Sequence, residues 1–364
     1  MKKLRVGVLF GGRSGEHEVS LNSANSILNA LDREKYEIVP IGITKQGSWR
    51  LGADPAKILE EGDFKGDSIP ATMIPDPNTN KLLSLSDGAD LAEIDVIIPV
   101  LHGTYGEDGT VQGLFELANI PYVGAGVLGS AAGMDKIVMK SVFAAAGLPQ
   151  ARYVGLLRRE WEKDQEKVLS SVEKELGYPC FVKPANLGSS VGISKAHNRE
   201  ELTNAINMAC EYDRRIVVEE FIDAREIEVG VLGNDEPKIS VLGEIVPCNE
   251  FYDYKAKYID GDSALIIPAE ISGAACEQIK EIAAKAFRAL DCAGLSRVDF
   301  FVTKAEGKIY INEVNTLPGF TKISMYPKLW EATGIPYSQL LSELIDLAIE
   351  RHADKNRSKT TFDL

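Results

Sequence analysis

The chain predicts an α/β fold built around a parallel sheet, and three observations carry that prediction. Residues 4–10 (LRVGVLF) are apolar almost throughout, as a strand buried on both faces requires. A glycine loop follows, and then a helical stripe of Val19, Ala24, Ile27, Leu28 and Leu31. Two further apolar runs, 38–44 (IVPIGIT) and 95–101 (DVIIPVL), read as strands, so strand and helix alternate. In such sheets the loops at the strand C-terminal ends carry the binding residues.

Between the second and third strands, residues 52–90 are dense in Pro, Gly, Asp and Ser and read as an irregular insertion. Residues 120–134 are cut by Pro121 and four glycines and read as a turn region. A helical pattern then runs from Met134 to Ala146, stopped by Gly147 and Pro149. Residues 179–195 (PCFVKPANLGSSVGISK) have the shape of strand, small-residue loop, strand. The helix 200–211 and the strand 216–219 complete a second unit. Farther on, 277–290 reads as a helix, and 298–302 with 308–313 as a hairpin turning at Glu306-Gly307. A last helix spans about 337–352 and precedes a polar tail expected to fray.

Composition narrows the function. A chain of 364 residues is long enough for two or three domains. Its formal charge of −14 argues against a nucleic-acid partner, which needs a basic face. The apolar run near the N-terminus is too short for a signal peptide, and nothing approaches a spanning helix of about 20 residues. Cys180, Cys210, Cys248, Cys276 and Cys292 are odd in number and lack C-x-x-C spacing, which excludes a disulfide framework or structural zinc. A cytoplasmic location with no membrane contact is expected.

Several segments could carry chemistry. On a 298–302/308–313 hairpin, Glu313 and Asn315 share a face with Asp299 opposite them. Three hard oxygen donors without Cys or His suit Mg²⁺, although the same acids could form a solvated strand end. Lys183 precedes the loop Gly188-Ser189-Ser190-Val191-Gly192, whose small residues let backbone N–H groups approach phosphate, or which is a plain turn. Gly7-x-x-x-x-Gly12-Arg13-Ser14 is not a P-loop, because Arg replaces the required Lys and Gly7 lies within the strand. The dinucleotide fingerprint is also missing, which disfavours a dehydrogenase. Glu16 and His17 remain on a glycine turn at a helix start. The loop 102–109 (HGTYGEDG) leaves the third strand at the same edge, as a chemical element or as a helix start capped by Asp108. Residues 251–258 (FYDYKAKY) suit a mobile lid or a surface loop.

Seven segments, GGRSGEHEVS, HGTYGEDG, MDK, FVKPANLGSSVG, FYDYKAKY, SRVDFF and NEVNTLPGFTKISMYP, occur in an order that resembles the D-alanine–D-alanine ligase family of the ATP-grasp superfamily. The resemblance runs from about Arg5 to about His352. The longer insertion and ISMYPKLW are similar to the A-type branch. It implies an N-terminal Rossmann-like parallel-sheet domain (1–124) followed by a two-lobed ATP-grasp module (125–218 and 219–364).

The resemblance also implies site roles. Lys136, Lys183 and Lys257 would contact ATP phosphates, with Ser189 and Ser190 closing over them. Glu219, Glu220, Phe221, Ile222, Glu226 and Asn312 would border the nucleotide, with Phe181 against the adenine. Asp299, Glu313 and Asn315 would hold two Mg²⁺ ions, with Mn²⁺ as a possible substitute. Glu16 would receive the first D-alanine's ammonium and bond to the Ser189–Tyr258 pair, with His102 nearby. Arg297 and the Gly319 N–H would stabilise the tetrahedral intermediate, while Ser324 and Met325 would meet the second D-alanine. Glu220 stands where some members have Lys or Gln, which bears on one adenine contact. Lys255 stands where others have an acid, which bears on the lid surface. The implied activity is ATP-dependent synthesis of D-alanyl-D-alanine for peptidoglycan precursors by a homodimer. Rival readings are a D-alanine–D-serine or D-alanine–D-lactate ligase, or a non-catalytic nucleotide sensor.

Overall fold

A computed structural model describes residues 2–62, 64, 68–188, 191–246 and 264–361. The strand β1 (Leu4–Gly11) is followed by α1 (His17–Ala30) and β2 (Tyr36–Ile43), and β7 (Val96–Val100) pairs on the other side of β1. Both pairings are parallel, with Val8 opposite Pro40 and Ile98. The predicted stripe of α1 faces inward, with Val19, Ala24 and Ile27 buried. Leu31 is buried just past the helix end.

The insertion is more ordered than its composition suggests. β3 (Trp49–Leu51) leads into it, it holds α2 (Pro55–Glu61), β4 (Ile69–Met73) and β5 (Lys81–Ser84), and β6 (Asp90–Glu93) begins at its end. These strands extend the sheet antiparallel from β2, giving the order β6-β5-β4-β3-β2-β1-β7. The reason is alternation: in β4, Ala71 and Met73 are buried while Pro70 and Thr72 are less so, a half-buried pattern that short, loop-rich strands disguise.

The expected turn region is also partly helical, since α3 (Thr110–Leu117) leads to α4 (Val127–Met134). Its glycines serve close packing. A Cβ on Gly129 would lie 2.5 Å from the Asp291 carbonyl oxygen, and one on Gly133 would lie 2.7 Å from Thr316. After α4 comes α5 (Lys136–Ala145), whose first N–H groups bond to Asp135 Oδ1 at 3.0 Å.

Two more sheets follow. One has the order β10-β9-β11-β8, from β8 (Tyr153–Leu157), β9 (Cys180–Pro184), β10 (Ser194–Ala196) and β11 (Arg215–Glu220). It is backed by α6 (Arg158–Lys163), α7 (Gln165–Glu175) and α8 (Arg199–Tyr212), as the core formed by Trp161, Leu169, Leu202 and Ile206 shows. The other has the order β14-β13-β12-β15-β16, from β12 (Ala224–Gly233), β13 (Lys238–Val246), β14 (Ala264–Ile266), β15 (Gly294–Thr303) and β16 (Ile309–Asn315). Here α9 (Gly273–Ala289) covers one face through Ile279, Ala283 and Phe287. The α10 helix (Met325–Thr333) lies against β12 and β13.

The last helix, α11 (Tyr337–Lys355), runs three residues beyond the expected end. Leu340, Leu344 and Ile345 join Val8, Ile27 and Ile98 in one apolar core, so the first sheet is sealed by the far end of the chain. Arg351 bonds to the Gly124 carbonyl at 2.5 Å and lies over the Tyr122 ring.

Gly11 ends β1 at φ +90°, and a Cβ there would lie 2.2 Å from the Ile43 carbonyl oxygen. Gly11→Ala is therefore expected to lower stability by about 2–3 kcal/mol, because strained backbone and a clash add. Differential scanning calorimetry checks this, and an unchanged thermal midpoint would contradict it.

Candidate active site

The first part of the site lies at the C-terminal ends of β1 and β7, where parallel sheets expose loops. Ser20 on α1 accepts from Gly11 N at 2.7 Å and donates to the Val100 carbonyl, so it ties both strand ends to the helix. Ser14 Oγ donates to the His102 carbonyl at 2.7 Å and accepts from Glu16 N at 3.0 Å. Ser23 Oγ lies 3.2 Å from His102 Nε2 and 3.4 Å from Phe320 N, which brings the loop after β16 to the same place. Burial pushes the His102 pKa down, against the pull of Glu16, and favours a neutral imidazole.

Glu16 is buried between two glycines. A Cβ on Gly103 or Gly188 would lie 2.6 or 2.8 Å from Glu16 Oε2. Only a bare backbone at both positions lets this carboxylate join the His102 loop to the small-residue loop after β9. Glu107 accepts from Gly103 N at 2.6 Å. Its carboxyl is pushed well above the usual range by burial and by Glu16.

The second part is a set of lysines. Lys136 Nζ donates to the Leu187 carbonyl at 2.8 Å and lies 3.9 Å from Glu313 Oε2. It thus touches both the small-residue loop and the acids of β16. Lys183 Nζ donates to Glu219 Oε2 at 2.7 Å. Burial alone would lower the Lys183 pKa, but Glu219 and Glu313 raise it overall. Burial alone would raise Glu219, yet Lys140 and Lys183 hold it down to about 2.

Beyond Glu219, Phe221 and Ile222 link β11 to β12, and the Phe181 and Phe221 rings sit 6.2 Å apart. Lys195 Nζ lies 4.4 Å over the Phe221 ring. Glu220 is turned aside: it accepts from Arg152 N and Nε, each at 2.7 Å. Its carboxylate is therefore engaged by Arg152. Glu226 is half-buried near the start of β12.

The third part is an acidic row crossing three strands. Glu228 of β12 pairs with Asp299 of β15, and Asp299 with Glu313 of β16. Arg297 donates to Asp299 through Nε at 2.8 Å and Nη2 at 2.7 Å, with its Nε 3.0 Å from Glu228. Asn315 Nδ2 donates to Asp299 Oδ2 at 2.9 Å. Just before Glu313 the register slips, so Asn312 is the extra residue of a bulge. Among the described residues no group of three or more His, Cys, Asp or Glu forms a ready cage. Two carboxylates and an amide oxygen nevertheless suit a cation that takes its other ligands from phosphate and water.

Ser324 precedes α10 but does not cap it. Its Oγ accepts from Thr321 N at 3.1 Å and lies 3.3 Å from where a Gly319 Cβ would sit. The Met325 side chain packs with Ile245 and Leu329 in a small core. Ser189, Ser190, Lys257 and Tyr258, with the whole 251–258 segment, lie outside the described residues. Sequence reasoning missed Lys140 and Glu228. The first stands four residues after Lys136, and the second alternates with Glu226 in REIEVG, so both had a periodic signal.

The three sheets, and likeness to solved ligases over nearly the whole chain, place the protein in the ATP-grasp class of ligases. Models of the D-ala D-ala ligase N-terminus and C-terminus match residues 5–125 and 142–346. The chain belongs to the D-alanine–D-alanine ligase family. A relative named D-alanine–D-alanine ligase from Natranaerobius thermophilus is 57% identical over 100% of this chain and 99% of its own. One of the same name from Bacillus cytotoxicus is 56% identical, with 100% of each covered. The solved D-alanine-D-alanine ligase of Coxiella burnetii superposes with a TM-score of 0.83 at 40% identity, covering 98% of each chain. The VanG D-Ala:D-Ser ligase of Enterococcus faecalis superposes at 0.85 with 38% identity, over 95% of this chain and 100% of its own.

Proposed function

We propose that the protein joins two D-alanines into D-alanyl-D-alanine at the expense of ATP, giving ADP and phosphate, for peptidoglycan precursors. The observation that carries this is the position of Lys136, which reaches the small-residue loop and Glu313 at once. Phosphate-binding groups and the acidic row therefore face a single reaction centre.

A carboxylate is a poor acyl donor, so the first D-alanine's carboxylate oxygen attacks the γ-phosphorus, ADP leaves, and an acyl phosphate forms. Lys136 and Lys183 hold the phosphates, with Lys257, Ser189 and Ser190 completing the grip. Asp299, Glu313 and Asn315 would hold two Mg²⁺ or Mn²⁺ ions, which would supply neutralisation of the phosphate charge. Phe181, Phe221, Ile222, Glu226, Asn312 and the Glu220 backbone border the nucleotide. Glu16 takes the first ammonium, near His102. The second D-alanine, oriented by Ser324 and the Met325 backbone, loses a proton and attacks the acyl carbon, and phosphate departs. Arg297 is held by two hydrogen bonds to Asp299 and an ion pair with Glu228, so with the Gly319 N–H it meets the developing oxyanion without reorganising. Tyr258 and its segment exclude water from the acyl phosphate.

The same reading takes residues 1–124, 125–218 and 219–364 as its three units, in a cytoplasmic homodimer without nucleic-acid or membrane partners. Among the described residues no helix is long and apolar enough to cross a membrane.

The test is incubation with ATP, Mg²⁺ and D-alanine, with products identified by mass spectrometry. ADP, phosphate and D-alanyl-D-alanine are expected, and only when D-alanine is present. AMP and pyrophosphate would replace the acyl phosphate with adenylation. The shared fold with a D-Ala:D-Ser ligase favours one second reading, that D-serine is the second substrate. Supplying D-serine and D-lactate alongside D-alanine decides it, with the D-alanine dipeptide expected to dominate.

A further inference from the structure

Glu219 is shared between two buried ammonium groups, and the mechanism above uses only one of them. Lys183 Nζ takes Oε2 at 2.7 Å, while Lys140 Nζ lies 3.2 Å from Oε1. Lys140 is 1% exposed and Glu219 is 3% exposed. Lys140 therefore cannot touch a nucleotide, and its charge is desolvated at a cost that only a function or a partner offsets. It stands on α5 one turn after Lys136, which faces the small-residue loop. The Tyr153 ring lies 5.5 Å away, and the charges of Lys183 and Glu313 also act on Lys140.

With a single lysine, Glu219 would satisfy Lys183 completely. Lys183 would then be a neutralised ion pair and a weak phosphate ligand. A second cation on Oε1 draws off part of the carboxylate's charge, so Lys183 keeps positive potential for a phosphate. We infer that Lys140 is a positioning residue that acts through Glu219 to set the strength of Lys183 as a phosphate ligand. This rests on the reading of the cleft as the ATP site.

The test is calorimetric binding of ADP and of adenosine, which lacks phosphates, with no turnover involved. Lys140→Met is expected to weaken ADP binding about tenfold, the equivalent of about 1.4 kcal/mol, and to leave adenosine within about twofold. Lys140→Gln covers the case in which the methionine variant does not fold, and Lys140→Arg should restore most of the ADP affinity. In a Glu219→Gln background the Lys140 substitution should change ADP affinity by less than about threefold, because the shared carboxylate that carries most of the coupling is gone. Equal losses for ADP and adenosine, or an undiminished effect in that background, would overturn the role of Lys140. Wild-type protein that binds ADP no more tightly than adenosine would instead overturn the phosphate site itself.

Discussion

Glu313→Gln is expected to leave the fold intact and to lower the ligation rate by about 10²–10³, the cost of losing one transition-state partner. The side chain stands on β16, paired with Asp299 across the strand and 3.9 Å from Lys136. Glutamine keeps its shape and size and removes the charge. Its side chain is about a quarter exposed, so the substitution disturbs little packing. The same change at Asp299 would be less informative, because Asp299 also holds Arg297 and Asn315. Coupled ADP release gives the rate, and circular dichroism with the thermal midpoint checks folding. A folded variant within about threefold of wild type would remove Glu313 from the reaction centre.

Glu219→Gln is expected to act on stability as strongly as Glu313→Gln acts on rate. The carboxyl sits at about 2 in the folded protein against 4.5 when unperturbed. That gap corresponds to about 3 kcal/mol of stability. Because the folded value is the lower one, the contribution is complete above about 4.5 and is lost as pH falls through about 2. The glutamine variant, which leaves two buried ammonium groups without their carboxylate, should be less stable by about 3 kcal/mol at pH 7. Its deficit should narrow as pH drops below about 4.5. Denaturant unfolding of both proteins from pH 7 down to about 3 measures this. A deficit that grows toward low pH would contradict the assignment of charge.

Much of this was legible in the sequence where one physical rule dominates. The buried strand 4–10, the stripe of α1 and the hairpin carrying Asp299, Glu313 and Asn315 follow from periodicity and turn residues alone. Residues 69–93 were not legible, because strands of four or five residues do not show a period through prolines, glycines and acids. The glycines of α4 misled for another reason. Gly129 is a turn signal locally, and only the Asp291 backbone, distant in sequence, shows that it permits contact. Candidate site residues carried by loops come from the order of seven motifs, which the resemblance to the family supplies. Lys140 and Glu228 belong to regular elements and looked like ordinary helix and strand charges. What marks them is burial beside opposite charge, a property of tertiary packing.

The docking of α11 on the first sheet sets an order of events during synthesis. Residues 1–124 leave the ribosome with the apolar face around Val8, Ile27 and Ile98 uncovered, since Leu340, Leu344 and Ile345 have not yet been made. At elongation rates of roughly 5–20 residues per second that interval is on the order of tens of seconds, long compared with strand and helix formation. The nascent chain must carry a sticky surface through that interval, and chaperones that hold such surfaces have their natural target there. A premature stop before Tyr337 would leave every strand of the first sheet present and its core permanently open. Its expected fate is aggregation or proteolysis.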